Sequence, residues 1–196
     1  MKKTKILLVA LLLVSMSGFA QKFQFGVKAG ANFSNFNGTF EDVTTKTLVG
    51  FHAGAFTSFF IGNHFAIQPE VLISTQGAKI ESAGEKQDFK LTYLTIPVMA
   101  KFEFNGGFYL ETGPEAGINI SGGDFGDRKV KDVTEGADFL WGFGLGYHAP
   151  FGLGIGARYN LGLSKIGNAN FSDPNFKNSV IQVGLFYTIF NNNIHQ

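Results

Sequence analysis

The chain has 196 residues, of which 44% are hydrophobic, 16% are charged and 23 are phenylalanine. This composition excludes a disordered chain, because disorder requires low hydrophobicity and high net charge. The formal charge of +1 provides no basic field, so no nucleic-acid partner is expected. The absence of cysteine excludes disulfides, cysteine-ligated metals and thiol nucleophiles.

The N-terminal segment has the pattern of a secretory signal peptide. Three lysines within the first five residues precede the apolar run 6–14, and the small residues Gly18 and Ala20 stand before the expected cleavage point. This run is shorter than the roughly 20 residues that a membrane-spanning helix needs. We therefore expect residues 1–20 to be removed and residues 21–196 to form a single domain. Loss of the three lysines changes the formal charge from +1 to −2.

The rest of the chain alternates between apolar and polar residues. In the first such segment the odd positions from Phe23 to Phe33 are apolar, whereas the even positions are polar residues or glycine. A period of two with one apolar face predicts a β-strand. The same pattern predicts eight strands, over about 23–33, 49–59, 65–76, 89–104, 108–119, 138–148, 151–162 and 181–189.

The connections between these strands alternate in length. Three are tight, at 62–64, at 105–107 and around Ala149 and Pro150. The long polar ones are 34–47, 77–88, 121–136 and 164–177. An even number of strands of about ten residues, with short turns on one side and long loops on the other, is typical of bacterial outer-membrane barrels. We predict an all-β fold, an eight-stranded antiparallel up-and-down transmembrane β-barrel. Its mature termini are expected in the periplasm.

Periodicity alone does not say which face points outward. The alternative is an exported, soluble, lipocalin-like barrel with the apolar face inside. The glycines favour the membrane barrel, because six of them in 142–146 and 152–156 lie on the polar face and a narrow eight-stranded lumen needs small residues. Aromatic residues near the predicted strand ends resemble the interfacial girdles of membrane barrels.

The polar face carries ionisable residues of both signs. We interpret them as a network that fills the lumen by mutual pairing, because buried charges must be paired. Glu70 and Arg158 are expected to belong to this plug. The alternative is that the same residues line a narrow or gated channel for ions or small solutes. The candidate residues are Lys28, His52, Glu70, Lys101, Glu111, Glu115, Asp138, His148 and Arg158.

Catalytic and metal motifs are weak in this sequence. His52 is predicted near the outer end of its strand, where Asp42 or Asp138 could approach it, and this leaves a hydrolase at the outer rim as a remote alternative. No nucleophile elbow or pair of histidines at metal-ligand spacing accompanies it. The aspartates within 124–132 depart from the spacing of established calcium loops. We therefore predict no enzymatic activity, no cofactor and no metal.

Seven segments carry a family resemblance, namely 25–34, 93–97, 101–102, 109–114, 142–147, 157–164 and 181–187. Together they resemble the PorT-like outer-membrane β-barrel family of Gram-negative bacteria. The resemblance implies an outer-membrane barrel in contact with lipid, without an assigned activity and without an inherited role in secretion. We expect a monomer with a structural or surface-recognition role. Its four long loops are the candidates for contact with an extracellular protein, glycan or ion.

Overall fold

A computed structural model describes residues 22–37, 44–82, 85–122, 124–125, 128–129, 137–164 and 177–192. The predicted signal peptide, residues 1–20, lies outside the described residues. Within these ranges no helix is long and apolar enough to cross a membrane.

Eight long strands form the fold, and we number them β1 to β8 in chain order. Each strand pairs antiparallel with the next one along the chain, and β8 pairs with β1, which closes the barrel. The predicted eight-stranded up-and-down barrel is therefore confirmed. The strands are β1 Phe23–Asn37, β2 Thr44–Ile61, β3 Phe65–Ser82, β4 Glu85–Glu103, β5 Phe108–Gly122, β6 Ala137–His148, β7 Leu153–Gly162 and β8 Lys177–Asn191.

The apolar face of the barrel points outward. On β6, Phe139, Phe143 and Leu145 are 56%, 55% and 60% exposed, whereas the alternating Asp138 and Leu140 are 2% and 1% exposed. Exposed large apolar side chains recur in this way on every strand. A continuous apolar exterior is the surface of a barrel in lipid, since water-soluble proteins do not expose patches of this extent. The soluble alternative with an apolar interior is therefore wrong.

The three tight turns and both ends of the described chain lie at one end of the barrel, which we call the short-turn end. Each turn includes glycine in a left-handed conformation, for example Gly62 with φ of 76° and Gly152 with φ of 93°. Side chains other than glycine rarely adopt this conformation. The chain ends are tied to the barrel, because the amide of Phe60 donates to the carbonyl of Lys22 at 2.9 Å.

The strands extend further toward the opposite, long-connection end than the sequence predicts. Strands β3 and β4 remain paired from Gly77 and Lys90 up to Ser82 and Glu85. The predicted loop 77–88 is therefore wrong, and this segment forms the end of a long hairpin. Backbone hydrogen bonds pair the two strands whatever their side chains are. The alternation of apolar and polar residues therefore ends before the paired strands do.

Two of the other predicted loops, 34–47 and 121–136, also contain strand residues. Strand β1 ends at Asn37 and β2 begins at Thr44, so strand occupies both ends of the predicted loop 34–47. Within 121–136, Asp124–Phe125 pairs antiparallel with Arg128–Lys129 in a short ladder. The greater part of the predicted loop 164–177, residues 165–176, lies outside the described residues.

Candidate functional site

The candidate site is the lumen, toward which all nine predicted ionisable residues point. Eight of them are buried and Lys28 is partly exposed. The structure separates eight of them into a charged group in the middle of the barrel, a second group near the short-turn end and a third near the long-connection end, whereas His52 bonds to Asn32. Their inward orientation follows from the same period of two that places the apolar side chains outside.

A bidentate ion pair crosses the middle of the lumen. Arg158 on β7 donates from Nη2 to Oε1 of Glu70 at 2.7 Å and from Nη1 to Oε2 at 3.0 Å. Glu70 lies on β3, which is opposite β7 in the closed ring of eight strands. Glu70 is 1% and Arg158 3% exposed. Two parallel charge-assisted hydrogen bonds hold both planar groups in a fixed orientation, so the pair bridges the full width of the barrel.

Two further charges complete a balanced group of four. Lys28 on β1 donates to both carboxylate oxygens of Glu70, at 3.1 and 3.2 Å. On the other side, Nε of Arg158 donates to Oε1 of Glu111 on β5 at 2.7 Å. The amide of Gln68 adds a further donor to Glu70 at 2.8 Å. The two positive and two negative charges offset one another, which is what burial of such groups requires. We call these four residues the central quartet.

A layer of aromatic rings lies between the central quartet and the short-turn end. Phe56 and Phe186 meet edge to face at 5.7 Å between ring centroids, and Tyr109 lies 6.0 Å from Phe186. The ammonium of Lys101 lies 4.2 Å from the ring centroid of Tyr109, a cation–π contact. The periodicity of the sequence places Tyr109 and Phe186 on the polar face, but their role as a plug was not predicted. We call Phe56, Tyr109 and Phe186 the aromatic layer.

Glycines on neighbouring strands make room for these rings. A Cβ atom at Gly154 would lie 2.0 Å from the ring of Phe186, and one at Gly26 would lie 2.5 Å from the ring of Phe56. The hydroxyl of Tyr109 occupies the corresponding space at Gly146 and Gly156, at 2.5 and 2.4 Å. The inward glycines of the sequence therefore lie beside large inward aromatics of nearby strands. An aromatic residue on an otherwise polar strand face was the sequence signal that could have revealed the aromatic layer.

The group near the short-turn end includes a residue that the sequence analysis missed. Glu103 pairs with Lys101, with 3.3 Å between Nζ and Oε2, and with His148, with 3.4 Å between Nδ1 and Oε1. Its position two residues after Lys101 on the same strand face was the signal that could have revealed it.

Glu103 and His148 line an open vestibule of about 950 Å³ at this end of the barrel. Two cavities that border the aromatic layer and Lys28 of the central quartet have volumes of about 20 and 10 Å³.

His52 lies inside the lumen and not at an outer rim. It is 2% exposed, lies within β2, and its Nδ1 is 2.7 Å from Oδ1 of Asn32. The amide of Asn32 donates in turn to Oγ of Ser74 at 3.0 Å. The predicted position of His52 near the outer end of its strand is therefore wrong, since β2 extends to Thr44. Asp42 lies outside the described residues.

Glu115 and Asp138 form the third group, toward the long-connection end. Oε2 of Glu115 accepts a hydrogen bond from the amide of Asn160 at 3.0 Å, and Oδ1 of Asp138 accepts one from Ser164 at 2.6 Å. In the described part of the chain, no cluster of three or more His, Asp or Glu side chains has the geometry of a metal site. In this arrangement paired charges and aromatic rings occupy the lumen.

Comparison with known proteins places this geometry among outer-membrane barrels. The family model described as outer membrane protein beta-barrel domain matches residues 19–168. The search of curated proteins finds no match.

Solved structures with a similar fold include two bacterial surface proteins. Neisserial surface protein A (NspA) aligns with a TM-score of 0.55 and 18% identity, covering 84% of this chain and 97% of that one. Ail, the attachment invasion locus protein of Yersinia pestis, in complex with the heparin analogue sucrose octasulfate, aligns with a TM-score of 0.52 and 16% identity, covering 86% of this chain and 99% of that one. At these identities the similarity shows the fold. Because the family model covers more than half of the chain, this protein belongs to the outer membrane protein beta-barrel domain family.

Proposed function

We propose that this outer-membrane barrel has a sealed interior and acts through its surface, as a structural or recognition protein without enzymatic activity. The observation that supports this proposal most directly is the ion pair between Glu70 and Arg158, which joins opposite strands across the lumen. The aromatic layer adds a second closure toward the short-turn end. Because the ion pair and the aromatic layer both block the lumen, contacts with other molecules are left to the outer surface.

The proposed orientation has the short-turn end in the periplasm and the long connections outside the cell. Short periplasmic turns and longer extracellular loops are the rule for bacterial outer-membrane barrels. An epitope inserted within 126–127 should be accessible to antibody on intact cells, whereas one appended after Gln196 should become accessible only after permeabilisation. The reverse pattern would refute this orientation.

The connections at the long-connection end are the proposed recognition surface. The hairpin of β3 and β4 extends paired strands beyond the apolar band, which presents a more rigid surface than a loop. Ail is described in complex with a heparin analogue, so a sulfated glycan is a reasonable first probe for this chain. We also propose that the chain belongs to the PorT-like group, on the segments that carry the resemblance.

The second candidate is a narrow channel, and one observation favours it. The vestibule of about 950 Å³ opens at the short-turn end, where Glu103 and His148 line it, as charged residues line the entrance of a channel. In this alternative the central quartet acts as a gate that opens when Glu70 and Arg158 separate.

Ion conductance across a planar bilayer separates the two candidates. The wild-type barrel should insert without discrete openings, because a charged bridge and a layer of rings close its lumen. The variant Arg158→Ser, which removes the bridge, serves as a matched control for detecting leakage. Reproducible openings of the wild-type protein would refute the sealed barrel and support the channel. Verified insertion without openings supports the sealed barrel.

A further inference from the structure

Three prolines stand on adjacent strands of the barrel wall. Pro69 lies on β3, Pro97 on β4 and Pro114 on β5. Proline has no backbone N–H group, so within a sheet it is normally confined to edge strands and bulges. A closed barrel has no edge strand, and each of these prolines has a paired strand on both sides. Each of them therefore removes one hydrogen bond from the ladders of the barrel.

The pairing of the strands is interrupted opposite each proline. Two consecutive residue pairs are missing in each of three neighbouring ladders, although the register is the same on both sides of every gap. Among the described residues, the ladders that join β5 to β6, β6 to β7 and β7 to β8 have no such gap. We call the three gaps the proline seam. The missing pairs are those of 57–58 with 68–69, of 70–71 with 96–97, and of 98–99 with 113–114.

Water cannot replace the missing donors, because the seam lies in the apolar band of the exterior. Its outward side chains Val71, Ile96 and Val98 are 53%, 43% and 40% exposed. In hydrocarbon an unpaired backbone group is costly, and closed barrels normally leave none. The sheet is therefore weaker here than in the ladders without a gap. Segments with few backbone hydrogen bonds are those that open first.

Glu70 lies within the seam and is held by its side chain. By register Pro97 stands opposite Glu70, so the backbone carbonyl of Glu70 has no ladder donor on the β4 side. Its carboxylate accepts hydrogen bonds from Lys28, Gln68 and Arg158. The ion pair with Arg158 ties β3 to β7, on the opposite wall of the barrel. These side-chain bonds anchor β3 at the place where its backbone ladder is interrupted.

We propose that the barrel wall opens locally at the proline seam, with β3 separating from β4, and that the ion pair of Glu70 and Arg158 holds the wall closed. The ion pair then acts on the wall as well as blocking the lumen. An opening of this kind runs through the side of the barrel, whereas the channel alternative follows the barrel axis. Such a device goes beyond the proposed function, which concerns the lumen and the outer surface.

Amide hydrogen exchange of the purified barrel in detergent, followed by NMR, tests the opening. The amides at 68–71 and 96–99, which we call the seam amides, should exchange faster than those at 143–145 and 155–158, where β6 and β7 pair without a gap. A lost backbone hydrogen bond lowers protection by roughly 2–10-fold, and each seam stretch borders two gaps, so a difference of about 10-fold is expected. Seam amides that exchange no faster than the others would overturn the proposal.

Replacing a proline tests the seam without changing the ion pair. Pro97→Val supplies the missing N–H group and should slow exchange at 68–71 by roughly 2–10-fold. Pro150→Val, at a tight turn, is the matched control and should leave exchange at 68–71 unchanged. Exchange that is the same in Pro97→Val as in the wild type would refute the assignment of the weak point to the prolines.

Removing the ion pair tests the role of the side chains. Arg158→Ser should speed exchange of the seam amides by about 10-fold or more, because Glu70 then lacks its anchor on β7. The amides at 183–185 lie beside the substituted residue, in the ladder of β7 with β8, and should change less. Exchange that rises equally at both places, or rises only beside β7, would show that the ion pair does not hold the seam closed.

Discussion

Replacing Glu70 by glutamine should destabilise the barrel strongly. The Glu70 carboxylate receives hydrogen bonds from Lys28, Gln68 and both terminal nitrogens of Arg158, all between 2.7 and 3.2 Å. Glutamine has nearly the same volume, so the substitution removes charge without leaving a cavity. It also leaves two cations, the buried Arg158 and the partly exposed Lys28, with the single carboxylate of Glu111.

The expected loss of stability follows from the burial of Glu70. Glu70 is 1% exposed, so water does not screen the loss. Removing one partner from a buried ion pair costs about 3–5 kcal/mol. In a protein of this size each kcal/mol changes Tm by about 2–4 °C. The Tm of Glu70→Gln should therefore fall by roughly 6–20 °C.

The free energy of unfolding can be measured in detergent micelles through circular dichroism and the fluorescence of Trp141, the only tryptophan in the chain. The control is the double variant Glu70→Gln with Arg158→Gln, which leaves Lys28 and Glu111 as a balanced pair. It should recover part of the lost stability, because removal of both partners of a buried pair costs less than removal of one. An unchanged Tm for Glu70→Gln, or a double variant as unstable as the sum of the single ones, would refute the reasoning.

Two other predictions test the packing of the lumen and the lipid-facing exterior. Gly154→Ala should lower the unfolding free energy by about 1–3 kcal/mol, because its methyl group displaces the ring of Phe186. Adding Phe186→Leu should restore part of the loss in the same denaturation assay, and a neutral Gly154→Ala would argue against the aromatic layer. Leu145→Arg on the exterior should cost about 2–4 kcal/mol in lipid bilayers, whereas Phe151→Arg at a tight turn should cost about 0–1 kcal/mol. Equal costs at the two positions would contradict the assignment of the exterior to lipid.

The sequence by itself determined the number of strands, their order and their faces. Side chains of a strand alternate between its two sides, so the sequence alone determines that Phe139 and Asp138 lie on opposite faces. The same local rule placed all nine ionisable candidates on the polar face, and the glycines of that face indicated that it lines the lumen. The alternation of tight and long connections then indicated an up-and-down barrel. Strand ends were less predictable, because the β3 and β4 ladder continues past Gly77 without an apolar face.

The partners inside the lumen were decided only by the tertiary structure. Glu70 and Arg158 are 88 residues apart in the chain and meet because closure of the sheet places β3 opposite β7. Which inward residues share a level depends on the stagger between all the strands, a quantity that no local pattern contains. The same is true of the contact between Phe186 and Gly154, since it joins strands whose relative heights are determined when the barrel closes.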